Sequence, residues 1–309
     1  MSDTADDGLA LPIDYQARYG DGHRRTAVLG GGGIFFVAWQ LSYLRTLQRQ
    51  GIDLASATRI VGTSAGSVVA SLLAGGRLGL AAKEIALLGK APSVLGAMAP
   101  ADGLKPSQDR ALDLFRDGTD AEPETIRAIG YAALAAEALP AAKLRRNLSG
   151  VLAMRGWPSA ALVITTVDTY TGQRLAITSS ARVPVSAAAA ASSSVPGLFS
   201  PQPILDRRCM DGGVSGSGTH CDLVAGAKRV VVLSLGANRA ETVPMMTIQP
   251  DALRREVATL REGGSEVLVR GPRTTDVDVL MDPTAVPAAM AEGQEQAEED
   301  AAEFAEFWH

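Results

Sequence analysis

The sequence predicts an α/β fold in which helices flank a mostly parallel central sheet. Three observations carry that expectation. Two segments near the N-terminus each run strand, glycine turn, helix, and a further apolar strand follows far downstream at residues 230–235. Of 309 residues 46% are hydrophobic and only 20% charged, enough to cover both faces of a sheet and outside the disordered class.

Residues 1–24 are polar and aperiodic and are expected to form a flexible leader. Residues 1–11 lack a basic stretch followed by an apolar one, so no signal peptide is expected there. No run approaches the roughly 18 apolar residues of a membrane span. The two cysteines, Cys209 and Cys221, make no disulfide framework and fit a reducing compartment. A cytoplasmic location is therefore expected.

In the first unit the apolar run Ala27-Val28-Leu29 stops at four glycines. Ile34, Val37, Ala38, Leu41 and Leu44 then recur at helical spacing until Gly51. The second unit repeats the plan, with a strand at 59–61, a turn at 62–66, a helix at 67–74 and the stop Gly75-Gly76. Residues 77–157 are alanine-rich, helical in character and punctuated by five prolines, so a helical, lid-like insertion is expected within a single domain spanning 25–309. Within it Tyr131, Leu134, Ala138 and Leu139 form an apolar stripe expected to pack on the core.

Residues 161–169 and 174–179 read as a hairpin about the turn 170–173. A small-residue helix is expected at 185–194, a helix at 253–261, a strand at 266–269 and an acidic helix at 286–308. Phe304, Phe307 and Trp308 are expected to dock that last helix.

The charge balance, 29 basic against 34 acidic residues, is −5. No basic run offers the footprint of nucleic-acid binding, so no nucleic-acid partner is expected. By the same balance any lipid contact is expected to be apolar rather than steered by anionic membranes. Cys209, His220 and Cys221 lack a fourth ligand for zinc. Asp276, Asp278 and Asp282 lack the glycine and distal glutamate of a calcium loop. No metal or cofactor is expected.

The chemistry concentrates in three places. Gly62-Thr63-Ser64-Ala65-Gly66 lies between strand and helix, a sharp turn that lifts a serine hydroxyl away from the sheet at the positive end of the next helix. Read alone it is also an ordinary glycine turn. Gly30-Gly31-Gly32-Gly33 can turn successive backbone N–H groups toward one anion. Asp211-Gly212-Gly213 sets a carboxylate on a tight turn. The base for the serine is open on these grounds. It is His220, with Asp211 as its acid, or it is Asp211 directly.

Taken in order, these blocks resemble the patatin-like phospholipase family. The match runs from Ala27 to Leu235 and includes Val28-Leu29-Gly30-Gly31-Gly32-Gly33, with Val37-Ala38-Trp39 after it, in the actinobacterial style. It includes Gly62-Thr63-Ser64-Ala65-Gly66-Ser67, the block Ala191-Ser192-Ser193-Ser194-Val195-Pro196-Gly197-Leu198-Phe199-Ser200-Pro201, and Asp211-Gly212-Gly213.

The resemblance implies a three-layer sandwich and a Ser–Asp dyad. Ser64 would be the nucleophile in its Gly62/Gly66 elbow, Asp211 the general base with Gly212 and Gly213, and the amides of Gly31, Gly32 and Gly33 the oxyanion hole. The reaction implied is hydrolysis of lipid acyl esters through an acyl-serine, without metal, by an enzyme of lipid degradation that contacts membranes transiently. Under it His220 is a bystander.

One departure stands out. Where the family usually follows its glycine run with a residue, then often Arg or Lys, then a glycine, this chain has Ile34, Phe35 and Phe36. The two rings are expected in the core, with an acyl pocket as the competing place. Two rival readings remain: a general α/β-hydrolase esterase using His220, and a lipid-binding or regulatory homologue whose oxyanion hole those rings block.

Overall fold

The computed structural model describes residues 8–88, 103–118, 120–154, 156–216, 218–238, 251–273 and 279–309. Arg25–Leu29 (β1) pairs in parallel with Arg59–Gly62 (β2) on one side and with Arg229–Leu233 (β7) on the other. Leu162–Asp168 (β3) extends the parallel set beyond β2, and Glu266–Arg270 (β8) extends it beyond β7. Arg174–Ile177 (β4) folds back on β3 as the expected hairpin. Gln202–Ile204 (β5) and Arg207–Asp211 (β6) complete an eight-stranded mixed sheet of order β5-β6-β3-β2-β1-β7-β8, with β4 beside β3.

Alternation along the central strands divides the core in two. Ala27, Leu29, Ile60, Leu162, Ile164, Val231 and Leu233 join the larger cluster. That face carries Gly33–Arg49 (α1), Ala65–Ala74 (α2), Leu78–Leu88 (α3), Val185–Ser192 (α7) and Val286–Trp308 (α9). Val28, Val61, Val163, Val230 and Val232 face a second cluster, closed by the 3-10 turn Cys221–Val224 and by Leu260 of Ala252–Glu262 (α8). The result is helix, sheet, helix, as the sequence predicts.

Residues 8–24 do not form the flexible leader expected of them. Leu9 is buried, and its carbonyl accepts from the Ala176 N–H. Fully buried Arg174 is bidentate to Asp222 at 2.6 and 2.7 Å and donates to the Leu11 and Pro12 carbonyls. A polar, aperiodic segment is thus held by its backbone, which periodicity does not report.

The alanine-rich region contributes, besides α3, Pro106–Arg116 (α4), Pro123–Ala135 (α5) and Ala141–Leu152 (α6). Pro106 and Pro123 open their helices, where the missing N–H costs nothing. Ile126, Ile129 and Ala133 are the buried face of α5, packed with Phe115, Val167, Met210 and Val214. The expected stripe is therefore wrong in phase within α5, although Leu139, beyond the helix, does pack against the larger core cluster. Tyr131 is 55% exposed, and Leu134 is only half-buried.

The last helix lies along α1. Trp39 Nε1 donates to Gln296 Oε1 at 2.8 Å, and the Tyr43 hydroxyl donates to Asp300 at 2.6 Å. Gly293 packs its Cα on the Trp39 backbone, where any side chain would overlap the carbonyl. Phe304 meets Tyr43 edge-on at 5.8 Å, and Trp308 is fully buried with Nε1 on the Asp53 carbonyl. Phe36 is fully buried and stacks on Trp39 at 5.5 Å, and Phe35 is 5% exposed. Both rings are core residues. Trp308→Ala is expected to cost about 3–5 kcal/mol, read as a lowered urea midpoint with α1 and the sheet intact.

Candidate functional site

The register of β3 brings the site together. β4 pairs along residues 164–167 and so occupies one edge of β3. β2 and β6 both overlap that stretch and must share the other edge, β2 at residues 162–164 and β6 at 166–168. β2 runs parallel to β3 and β6 antiparallel, so their C-terminal ends point at each other. Gly62 lies opposite Ile164 and Asp211 opposite Thr166, about 7 Å apart along the strand. The turn beyond Gly62 spans that gap.

Ser64 occupies the turn with φ 51° and ψ −121°, a left-handed conformation that non-glycine residues seldom adopt. Gly62 and Gly66 make the turn possible. A Cβ on Gly62 would come within 2.7 Å of the Gly66 carbonyl, and one on Gly66 would overlap the Leu29 carbonyl. Ser64 precedes α2 but does not cap it. Its Oγ donates instead to Asp211 Oδ2 at 2.7 Å.

Asp211 is 3% exposed. Its Oδ1 accepts from the Gly213 N–H at 2.8 Å. Burial pushes its carboxyl up to about 7, against the smaller opposing pull of the Gly213 and Ser64 hydrogen bonds. A carboxylate tuned there and bonded to an alcohol can take that alcohol's proton near neutral pH. A Cβ on Gly212 would come within 2.7 Å of the Thr165 carbonyl, leaving no room for a side chain.

The α7 end braces both groups. Ser192 Oγ accepts the Ser64 N–H at 2.8 Å, and the Ser194 carbonyl accepts the Asp211 N–H at 3.0 Å. Thr63 and Thr165 share a hydroxyl bond of 2.7 Å beneath them. The sequence marked the 191–201 block only through its resemblance. These brace roles depend on tertiary contact and carry no local signal.

The glycine loop crosses above the serine. The Gly30 N–H is bonded to the Leu233 carbonyl, and the Gly30 carbonyl accepts from Gln40 Nε2 at 3.0 Å. The amides of Gly31, Gly32 and Gly33 find no acceptor among the described residues. Gly31 lies against Ser64, where an added Cβ would sit 3.1 Å from the serine Cβ. Gly31 and Gly33 share a narrow space with Ser64, Asp211, Gly213 and Phe115 of α4. The Cα of Gly32 faces inward, onto Phe36 and Leu235. The positive ends of α1 and α2 both meet this space.

Beside Ser64 opens an apolar cavity of about 190 Å³. Ile34 and Val37 of α1, Val68 of α2, and Leu144, Leu148 and Val151 of α6 form much of its wall. Neither Phe35 nor Phe36 lines it or the narrow space over Ser64 and Asp211. The departure from the family pattern thus puts Ile34 at the cavity and the rings in the core.

His220 lies in the interior. It is 1% exposed, its Nε2 lies 2.9 Å from the Gly212 carbonyl, and its Nδ1 lies 3.4 Å from Arg174. A carbonyl only accepts, so Nε2 carries the hydrogen. Burial, assisted by Arg174, pulls its pKa down to about 4 and keeps it neutral. The serine bonds Asp211 directly, so His220 does not stand between them.

Cys209 and Cys221 are buried free thiols. Asp282 caps the turn Pro283–Ala285 through the Thr284 N–H, while Asp276 and Asp278 lie outside the described residues. No cluster of His, Cys, Asp or Glu among the described residues could hold a metal ion. None of their helices is long and apolar enough to cross a membrane.

A family model for patatin-like phospholipases matches residues 27–220. The chain belongs to that family. The match contains the glycine loop, the serine elbow, the 191–201 block and Asp211, and it supports a lipid-hydrolase function for this patatin-like chain. A search of curated proteins finds no match. Among solved structures it is similar to VipD from Legionella pneumophila, at 13% identity and a TM-score of 0.42 over 91% of this chain and 67% of that one. It is also similar to the type III effector ExoU, at 17% identity, a TM-score of 0.32 and 90% of this chain. The heterodimeric ExoU–SpcU complex of Pseudomonas aeruginosa gives 17% and 0.36 over 92%. The patatin-like chain spans about half the length of the ExoU chains, 53% and 52%.

Two expectations follow for the isolated patatin-like chain. The folded pKa of Asp211 lies above its unfolded value near 3.8, so the fold loses stability as pH rises from about 4 through about 7. Asp211→Asn is therefore expected to melt higher than wild type at pH 8, with the gap closing toward pH 4, in thermal scans across pH. His220→Ala removes the shorter of the two donors to the Gly212 carbonyl, leaving the Ser215 N–H at 3.3 Å, and is expected to cost about 1–3 kcal/mol in urea titration.

Proposed function

We propose that this patatin-like chain is a serine acylhydrolase of lipid acyl esters, with Ser64 as nucleophile and Asp211 as its general base. The observation that carries the reading is the 2.7 Å bond from the Ser64 hydroxyl to a buried Asp211 carboxylate beside the unpaired amides of the glycine loop.

Asp211 Oδ2 takes the hydroxyl proton as Ser64 Oγ attacks the ester carbonyl carbon. The carbonyl π electrons become the oxyanion of a tetrahedral intermediate. Gly31, Gly32 and Gly33 amides, with the positive ends of α1 and α2, stabilise that charge without a cationic side chain. On collapse the C–O bond to the alcohol breaks, and the leaving oxygen takes the proton from Asp211. Acyl-Ser64 remains. Asp211, again a carboxylate, deprotonates a water that attacks the acyl carbon. The second intermediate expels Ser64 Oγ, which recovers the proton, and the free acid departs.

The cavity beside Ser64 holds the acyl chain. If a methylene fills about the 30 Å³ of one liquid water, the 190 Å³ present receives roughly six. Short and medium acyl chains are favoured over long ones. The rival readings lose support. Asp211 holds the position a His220 base would need, and Phe35 and Phe36 do not reach the space over the serine.

Labelling with a fluorophosphonate probe is expected to map by mass spectrometry to Ser64 and to vanish in Ser64→Ala. Unlabelled Ser64 with no ester turnover would reject the reading. Asp211→Asn is expected to lower kcat by about 10²–10⁴ while retaining the fold. Because the base must be ionised, kcat/KM should rise with pH through an apparent pKa near 7. Across a series of p-nitrophenyl esters, turnover should peak at acyl chains of about six to eight carbons.

A further inference from the structure

Helix α6 carries two unlike faces. Leu144, Leu148 and Val151, at four- and three-residue spacing, line the acyl cavity. Ala142, Arg145, Arg146 and Ser149 face the other way, into an open groove of about 550 Å³. The far wall of that groove holds Arg182 and Leu205, with Val183, Pro184, Pro203 and Ile204.

Three features set this groove apart. It gathers three arginines and no carboxylate, on a chain whose net charge is −5. None of the three arginines has an ion pair or hydrogen bond among the described residues, whereas nine other basic side chains do pair with carboxylates. Leu205, 57% exposed and left-handed at φ 53°, stands at the rim on the β5–β6 turn. Arg182 is left-handed too, at φ 55°.

Unpaired guanidiniums bind phosphate by charge-assisted, bidentate hydrogen bonds. An apolar side chain beside them inserts among acyl chains while the cations meet the headgroups. The overall acidity of the chain, which argues against steering to anionic membranes, conceals a local field of the opposite sign.

We infer that the groove between α6 and the β5–β6 turn docks the phosphate headgroups of an anionic lipid bilayer, with Leu205 inserting at its rim. The docking site shares α6 with the acyl cavity. Bilayer contact is thereby linked, through the two faces of one helix, to the wall of the pocket beside Ser64.

The test is sedimentation of the full chain with vesicles of phosphatidylcholine alone and of phosphatidylcholine mixed with phosphatidylglycerol in equal parts. A Ser64→Ala background keeps the lipid intact, so the outcome does not depend on Ser64 being the nucleophile. Binding is expected to the anionic vesicles only and to weaken with salt. Combining Arg145→Gln, Arg146→Gln and Arg182→Gln should weaken it on the order of a hundredfold, because each cation at such a surface contributes about fivefold.

A control with Arg49→Gln, Arg110→Gln and Arg116→Gln removes the same charge outside the groove and should bind like the parent. Circular dichroism melting checks that both triple variants fold. Leu205→Ser should weaken vesicle binding without changing the salt dependence. Equal binding by the groove variant and the parent would overturn the proposal, as would no binding to either vesicle. Calorimetric binding of sn-glycerol 3-phosphate or inorganic phosphate without vesicle binding would also overturn it, by making the groove a site for a soluble phosphate.

Discussion

The site depends on one costly placement, a carboxylate withdrawn from water with an alcohol as its partner. Asp211 is 3% exposed, and no cation among the described residues pairs with it. Its ionised form is held by two hydrogen bonds only, from the Gly213 amide and the Ser64 hydroxyl. Desolvation outweighs both and brings its pKa up to about 7. A nearby lysine or arginine would stabilise the charge and lower that pKa. The absence of a basic residue at Phe35 is consistent with that balance.

Such a group stays in place only if its surroundings leave it no alternative. The antiparallel entry of β6 onto the edge of β3 beyond β2 brings Asp211 toward the serine turn. The end of α7 ties down both backbones, through Ser192 to the Ser64 amide and through Ser194 to the Asp211 amide. From behind, neutral His220 donates to the Gly212 carbonyl and is itself steadied by the buried Arg174–Asp222 pair. That pair also fastens the carbonyls of residues 11 and 12. A segment that reads as a loose leader is therefore connected to the Asp211-Gly212-Gly213 turn by three successive polar contacts.

The alanine-rich region serves the site through its apolar faces. Phe115 reaches the space over Ser64 and Asp211, and Leu144, Leu148 and Val151 wall the cavity next to it. Three separate helices, α3, α4 and α6, thus close a pocket that the sheet and its loops leave open. Ile34, the first residue after the glycine run, belongs to the same apolar wall.

The sequence alone determined the elements whose cause is local. Glycine turns between apolar strands and periodic helices marked β1, β2, α1 and α2, the hairpin β3–β4 and the terminal helix 286–308, because strand alternation, helical period and glycine freedom act over a few residues. Order and residue type in four blocks also identified Ser64, Asp211 and the glycine loop as the chemical candidates. The choice between Asp211 and His220 belonged to tertiary structure. Both are near Gly212 in the chain, and only the strand register decides which one points at the serine.

The short strands β5 and β6 were missed because β5 has only three residues with a proline at its centre, three of the five residues of β6 are charged, and β6 pairs with a strand some forty residues away. The phase of α5, the burial of His220 and the arginine groove were equally invisible. Each depends on which surfaces meet after the chain has folded, and burial and local charge are properties of that meeting rather than of composition.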